Sequence, residues 1–184
     1  MCHRLFLIAL ISLLTVGLSN YGLAIETVPS SENACQGGYS SHFILTGEVN
    51  EPAIYDEESL SKLPHSIENV TFLTKTGPQS SSFSGVLLWN LLTTAGVKTN
   101  PTRDGQFQYV EITGTDCYQV VLALGELNPN FGGEQILVAD AQNGSPLGSN
   151  TGFARIIVPG DKFGGRNIFW VDRIEVFSGP PPRW

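Results

Sequence analysis

The residues best suited to chemistry lie in a glycine-rich loop near the C-terminus, residues 160–166, which carries the two cations Lys162 and Arg166. Gly160, Gly164 and Gly165 surround these cations. Glycine tolerates positive φ, and it lets a ligand approach the N–H groups of the backbone closely. Two positive side chains beside such a backbone favour an anion. The pattern therefore predicts an anion-binding loop in a chain that is otherwise acidic.

The same loop has a second interpretation, in which its charges serve the fold. Arg166 would then pair with a nearby carboxylate, such as Asp161 or Asp172. Both interpretations stay open at the level of sequence.

The first 24 residues have the composition of a secretory signal peptide. His3 and Arg4 form a weakly basic start, Leu5 to Leu18 form an apolar segment, and Gly22-Leu23-Ala24 ends with small residues at the positions that a peptidase reads. The apolar segment has about 14 residues, fewer than the roughly 20 that a membrane anchor needs. We therefore expect cleavage after Ala24 and an exported protein, periplasmic or secreted, with no stable membrane span.

Two cysteines remain after such a cleavage, Cys35 and Cys117. In an exported protein an even pair is most simply a disulfide. This disulfide would join the N-terminal segment to the middle of the domain across roughly 80 residues and stabilise it by about 4 kcal/mol. The alternatives are an unpaired structural thiol and a metal-binding thiolate.

Composition and other motifs exclude several classes of function. The chain has 10 Lys and Arg against 17 Asp and Glu, a net charge of −7. It has no basic block, so nucleic acid is not an expected partner. His42 and His65 have no partner at metal-ligand spacing, and no phosphate-binding Gly-Lys-Ser/Thr loop or His-Glu-x-x-His motif occurs.

The elements that must position the loop are mostly strands. Apolar or alternating segments predict strands at Phe43–Val49, Ile67–Thr74, Tyr109–Gly114, Tyr118–Ala123, Gln135–Ala139, Ile156–Val158 and Ile168–Val176. Helical spacing of Leu88, Leu91, Leu92 and Ala95 predicts a helix within Ser84–Val97, stopped by Gly96. Short helical turns are expected near Asp56–Leu63 and Gly125–Asn130, a loop at Lys75–Ser82 and a turn at Asn143-Gly144.

These elements predict a single α+β domain with strands in the majority. Its expected limits are residues 43–178. A flexible leader at residues 25–42 precedes the domain, and a proline-rich tail at residues 179–184 follows it.

Five segments, in this order, resemble the molybdopterin-binding domain of sulfite-oxidase-type oxidoreductases. They are Leu45–Pro52, Phe83–Val97, Asp116–Leu127, Asn143-Gly144-Ser145-Pro146-Leu147 and Val158–Val176. The resemblance covers roughly Leu45 to Val176. It implies the sulfite oxidase fold, a strand-rich, mixed-sheet α+β domain that cradles a pterin cofactor. It also implies that Lys162, Arg166, Gly164 and Gly165 contribute to cofactor binding.

One departure from the family pattern concerns the metal. In the enzymes a cysteine after the strand that precedes the "G-V-x-L" helix binds molybdenum through its thiolate. The corresponding region here, Val70 to Gly77, contains no Cys or Arg. Thr74 is a poor substitute, because its hydroxyl loses a proton only at far higher pH than a thiol does. Cys117 lies at the family's "D-G-Y" turn, away from the metal position.

The resemblance therefore implies an exported ligand-binding or redox-accessory module for a small anionic or pterin-like ligand, without a molybdenum centre of the usual type. Molybdopterin is the possible cofactor. One alternative is a molybdopterin-dependent oxidoreductase of the sulfite oxidase type, whose cofactor is held by the pterin alone or by Cys117. The other is a structural or partner-binding domain with an empty cleft.

Overall fold

A computed structural model describes residues 35–98 and 107–179 of the chain. The predicted signal peptide, the first part of the leader and nearly all of the proline-rich tail lie outside these described residues. Within them, no helix is both long enough and apolar enough to cross a bilayer.

The described residues form ten strands, three short α-helices and one 3-10 helix. In chain order they are β1 (His42–Gly47), β2 (Ala53–Asp56), α1 (Glu57–Ser61), β3 (His65–Thr74), β4 (Gly77–Leu87), α2 (Leu88–Thr94), β5 (Gln108–Gly114), β6 (Gln119–Ala123), α3 (Leu124–Leu127), β7 (Leu137–Gln142), β8 (Ser145–Pro146), β9 (Arg155–Ile157), the 3-10 helix (Gly164–Arg166) and β10 (Val171–Ser178).

Two sheets divide these strands between them. The first has the order β2-β1-β10-β5-β6, and the second has the order β3-β4-β7-β8 with β9 also paired to β7. All pairs are antiparallel except β1 and β10, which run parallel. The first sheet is therefore mixed and the second antiparallel, and the strand-rich α+β prediction is confirmed.

The main core uses one face of each strand, as the alternating sequences require. In β5 every second residue is buried, including Val110 and Ile112. From the second sheet Val86, Val138 and Ile156 join the same core.

The second sheet buries its other face as well, under a smaller group that we call the outer cluster. Its members are all buried apolar residues: Val70, Phe72, Phe83, Leu137, Ala139 and Ile157. Burial on both faces explains why the start of β7 reads as a continuous apolar run. The candidate site lies next to the outer cluster.

The predicted helix is present but shorter at its start. Leu88, Leu91 and Leu92 are buried on α2, and Gly96 follows its end with φ +65°. Residues 84–87 instead continue β4, because they pair with β7. A helix of seven residues has little stability of its own, so sheet pairing decides where it begins.

The predicted loop at Lys75–Ser82 is wrong. Only Lys75 and Thr76 form the turn, and Gly77, at φ +112°, begins β4. The serines that follow alternate with few apolar residues, so the strand signal is weak. They pair in register with β3 all the same, Val70 lying opposite Ser81. Contacts across the hairpin thus override local composition.

Candidate functional site

A cavity of about 770 Å³ opens beside the outer cluster, and we call it the ligand cavity. The end of β3, the middle of β4 and the end of β7 supply one side. The first residue of β9 and the glycine-rich loop supply the other. The side chains exposed to it are chiefly aromatic, amide or hydroxyl groups, among them Phe163, Phe169, Gln79, Gln142, Ser81 and Thr151.

Arg155 is the unusual residue of this cavity. It is the first residue of β9, opposite Ala139 of β7, and only 6% of its surface is exposed. Its guanidinium carbon lies 4.1 Å from the ring centroid of Phe169 and 5.2 Å from that of Phe83. Its Nε has no hydrogen-bond partner, and no carboxylate among the described residues forms an ion pair with it. A buried cation therefore faces the cavity without a counter-charge.

Burial lowers the pKa of Arg155 to about 10, because the desolvated site disfavours the charged form. The side chain nevertheless remains protonated at neutral pH. The two aromatic rings offset part of the desolvation through cation–π attraction. An anion entering the cavity would offset the remaining desolvation cost and accept a hydrogen bond from the Nε of Arg155.

The other charged residues around the cavity also favour a bound anion. Lys75 lies at its edge, and no Asp or Glu is among the residues that line it. The chain as a whole carries a net charge of −7. Positive charge is thus concentrated in this cavity, where low-dielectric walls strengthen its field.

The glycine-rich loop is held in place from three directions. Arg166 donates from Nε and Nη2 to the two carboxylate oxygens of Asp161, at 2.9 and 2.8 Å, and from Nη1 to Glu126 of α3 at 3.3 Å. The Tyr118 hydroxyl donates to the carbonyl of Gly165 at 2.7 Å. The N–H of Leu73 donates to the carbonyl of Lys162.

These contacts bear on the predicted site residues. Gly164 and Gly165 do line the cavity, and Gly164 packs against Phe72. Arg166 pairs with the carboxylate of Asp161, as the structural interpretation of the loop predicts. The hydrogen bonds to Asp161 raise the pKa of Arg166 above the ordinary arginine value. The Lys162 ammonium lies 5.9 Å from the Phe163 ring centroid and is not among the lining groups. Cofactor binding by these four residues stays a prediction.

Arg155 was missed by sequence reasoning, although a signal was present. It is the lone charge within the buried segment Gly152–Val158. A single cation in an otherwise apolar strand requires a counter-charge or a ligand. The spacing rules that drew attention to the glycine-rich loop carry no information on such a residue.

Cys35, Cys117 and Thr74 are the residues that the sequence analysis considered as metal ligands. Cys35 and Cys117 are joined in the predicted disulfide, with Cα atoms 4.7 Å apart, so neither supplies a thiolate. Thr74 lines the cavity, and its hydroxyl donates to the carbonyl of Gly77 at 2.8 Å. The described residues contain no group of three or more His, Cys, Asp or Glu side chains placed to hold a metal ion.

Residues 42–184 match the sequence profile of the family described as "Oxidoreductase molybdopterin binding domain". The chain is 37% identical over 102 residues to the nitrate reductase [NADPH] of Phytophthora infestans and 33% identical over 115 residues to that of Neurospora crassa. These matches cover 54% and 59% of the chain but only 11% of each enzyme. The chain is therefore a small part of the length of these relatives.

A solved structure with a similar fold is the sulfane dehydrogenase SoxCD from Paracoccus pantotrophus. The match has a TM-score of 0.62 and 21% sequence identity, and it covers 74% of this chain and 38% of that one. At this identity the likeness concerns the fold. It agrees with the strand-rich fold described above.

Proposed function

Because the chain belongs to the oxidoreductase molybdopterin-binding domain family, we propose that its ligand cavity binds a pterin-type ligand through a phosphate group held by Arg155. The observation that carries this proposal is the buried guanidinium without a counter-charge. A phosphate monoester would accept hydrogen bonds from it and neutralise it. The aromatic side chains of Phe163 and Phe169 would contact the heterocycle.

The residues present fit the organic part of such a cofactor better than its metal. A cavity of about 770 Å³ has the size of ordinary cofactor sites. In the enzymes the metal would supply redox chemistry, held by a protein thiolate. Here Thr74 presents a hydroxyl already engaged with Gly77, and both described cysteines are bonded. We therefore propose a ligand-binding or redox-accessory module without the usual thiolate-bound molybdenum.

A titration with a fluorescent pterin phosphate, 6-hydroxymethylpterin monophosphate, tests the site. The same pterin without phosphate should bind at least tenfold more weakly, because Arg155 then has no anion to contact. Arg155→Met should remove the difference between the two probes. Arg173→Met is the matched control, since Arg173 is an exposed cation on β10. Equal affinity of the wild-type protein and Arg155→Met for the phosphate probe contradicts the proposal.

The second candidate is a molybdopterin-dependent oxidoreductase of the sulfite oxidase type, favoured by the family itself and by the likeness to nitrate reductases. Metal analysis separates the two. Protein expressed in a host that makes the cofactor should carry about one molybdenum per chain if the second candidate is right. We expect pterin without stoichiometric molybdenum in the wild-type protein.

Thr74→Cys sharpens this comparison, because it places a thiol on the cavity wall. We expect its molybdenum content to rise above that of the wild-type protein. Ser178→Cys adds the same thiol at the exposed end of β10, outside the lining residues, and should leave the content unchanged.

We also propose that the protein acts outside the cytoplasm, on the basis of the signal-like residues 1–24. Sequencing the N-terminus of the protein from its native host tests this proposal. A mature chain that begins near residue 25 is expected, and an intact Met1 in all of the protein would overturn it.

A further inference from the structure

The Cys35–Cys117 disulfide lies on the surface, and both cysteines are exposed. Cys117 belongs to the turn between β5 and β6, residues 115–118, which we call the disulfide turn. The bond is thus within reach of a dithiol reductant. Cys117 precedes Tyr118, whose hydroxyl donates to Gly165 of the glycine-rich loop, so the bond is connected to the ligand cavity through this turn.

Strained backbone is concentrated around this bond. Four non-glycine residues in the described part of the chain have positive φ: Cys35 at 73°, Cys117 at 60°, Asn143 at 52° and Trp170 at 49°. Asn143 occupies a hairpin turn, where asparagine is favoured. Cys35 and Cys117 are joined by the disulfide, and Trp170 contacts the turn that contains Cys117. Such conformations are costly and persist only where the surroundings impose them.

Trp170 is held by Ser149 and Thr151, which accept hydrogen bonds from its indole and backbone N–H groups, and it also contacts the disulfide turn and the leader. The N–H of Thr115 donates to the Trp170 carbonyl at 3.0 Å. A Cβ added at Gly37 would lie 3.2 Å from the Trp170 ring, so the leader packs directly against it. The described leader contacts the turn through Gly37 N–H to the Thr115 carbonyl and Thr115 Oγ1 to the Gly38 carbonyl. Without the disulfide, leader and turn are joined there by non-covalent contacts of this kind.

The same contacts reach the ligand cavity at two places. Trp170 follows Phe169, whose ring covers the guanidinium of Arg155, and the Trp170 N–H donates to the carbonyl of Thr151 on the cavity wall. At the second place, Tyr118 of the disulfide turn donates to the carbonyl of Gly165. A shift of the turn would therefore move the glycine-rich loop and the residues around Arg155, which form one wall of the cavity.

We propose that the Cys35–Cys117 disulfide is a redox-controlled clamp on the ligand cavity, and that its reduction weakens anion binding there. The proposal rests on the proposed function, since it concerns the same cavity. The reductant is a dithiol. Its thiolate attacks one sulfur, the Cys35–Cys117 bond breaks, and the two cysteines end as thiols after gaining two electrons and two protons. The reductant closes its own disulfide.

Reduction lets the leader detach and Trp170 relax to negative φ, which displaces Phe169 from Arg155. Affinity for 6-hydroxymethylpterin monophosphate should fall about tenfold when dithiothreitol frees both thiols. The variant Cys35→Ser/Cys117→Ser should bind like the reduced protein and show no response to dithiothreitol. Unchanged affinity with two titrated thiols overturns the clamp.

Amide hydrogen exchange provides a readout that needs no ligand. On reduction the amides of Thr115 and Trp170 should exchange faster, while those of Leu45 and Ile112 in the main core stay protected. If the oxidised protein binds no probe, the proposed function fails. The exchange at Thr115 and Trp170 then still decides the clamp, because unchanged rates contradict it.

A further variant keeps the test valid if reduction unfolds the domain. Tyr118→Phe removes one connection between the disulfide turn and Gly165 while the disulfide stays intact. We expect the oxidised variant to bind the pterin phosphate about threefold more weakly. Affinity equal to that of the oxidised wild-type protein would overturn the role given to the turn.

Discussion

Arg155 is expected to favour anion binding and to lower the stability of the ligand-free protein. The charge is held in a desolvated place, and its lowered pKa of about 10 corresponds to a cost of about 3 kcal/mol, which the cation–π contacts reduce. Removing an unpaired buried charge is often neutral or stabilising. In the absence of ligand we expect Arg155→Met to leave the free energy of unfolding unchanged or to raise it by about 1–2 kcal/mol, as measured by urea denaturation.

Inorganic phosphate supplies the control for this prediction. It should raise the melting temperature of the wild-type protein and leave that of Arg155→Met unaffected, because a ligand stabilises only the form that binds it. A loss of more than about 1.5 kcal/mol in Arg155→Met would show instead that the side chain has a structural role.

Arg166 should behave in the opposite way. Its partly buried ion pairs with Asp161 and Glu126 connect the glycine-rich loop to α3. Arg166→Ala leaves two carboxylates without their partner, so we expect the free energy of unfolding to fall by about 1–3 kcal/mol. The exposed control Arg173→Ala should change it by less than about 0.5 kcal/mol. Equal effects of the two variants would contradict the role of Arg166.

At the scale of elements, the pairing of β4 with β7 depends on the absence of a side chain at Gly85. An added Cβ would lie 2.3 Å from the carbonyl oxygen of Val138 and 2.4 Å from the Cα of Ala139. Both are backbone atoms of a buried strand and cannot move aside cheaply. We expect Gly85→Ala to lower the free energy of unfolding by more than about 3 kcal/mol or to prevent folding.

Gly125→Ala is the matched control, because it adds the same methyl group on α3 with no neighbour within 4 Å. It should be neutral or slightly stabilising, since alanine favours helix more than glycine does. Similar melting temperatures for the two variants would show that β4 and β7 can separate to admit a side chain.

The start of β3 is joined to β7 by His65, and this contact makes the pairing sensitive to pH. Burial alone would lower the pKa of His65, but hydrogen bonds to Asp140 Oδ2 (2.6 Å) and to the Leu63 carbonyl, with the charge of Asp140, raise it above the ordinary value. A raised pKa stabilises the fold fully below the unfolded value of about 6.5. We expect this contribution to be lost as pH rises through the folded pKa.

Asp140→Asn should remove that dependence, because the histidine loses its charged partner. His42→Asn, at an exposed position, should retain the wild-type profile. Unfolding free energies measured between pH 5 and pH 9 check both variants. A wild-type stability that does not decrease over this range, relative to Asp140→Asn, would contradict the assignment.

At the scale of the whole molecule, the family and many of the strands could be predicted from sequence, whereas other strands could not. The alternating residues of β5 and β6 were sufficient to place those strands, and five segments in order were sufficient for the fold. The serine run of β4 was not recognised, because its strand character comes from pairing with β3. Local composition carries no record of such pairing.

In the candidate site, too, some residues could be identified from sequence and one could not. The sequence identified the glycine-rich loop, and the structure places Gly164 and Gly165 on the cavity wall. It did not identify Arg155, which reaches the cavity because β9 pairs with β7 beneath the outer cluster. A cation without a spacing motif becomes recognisable only when the burial around it is known.

The parallel pairing of β1 with β10 has a consequence for synthesis of the chain. β10 lies between β1 and β5 in the first sheet, so the earliest described strand has its central neighbour at the far end of the sequence. Such non-local pairing slows folding and delays it until the last strand is available. Ribosome-bound chains that stop before Val171 should therefore stay sensitive to protease, and chains extended through Ser178 by a linker should become resistant. Until then, the newly made polypeptide remains a substrate for chaperones rather than a finished domain.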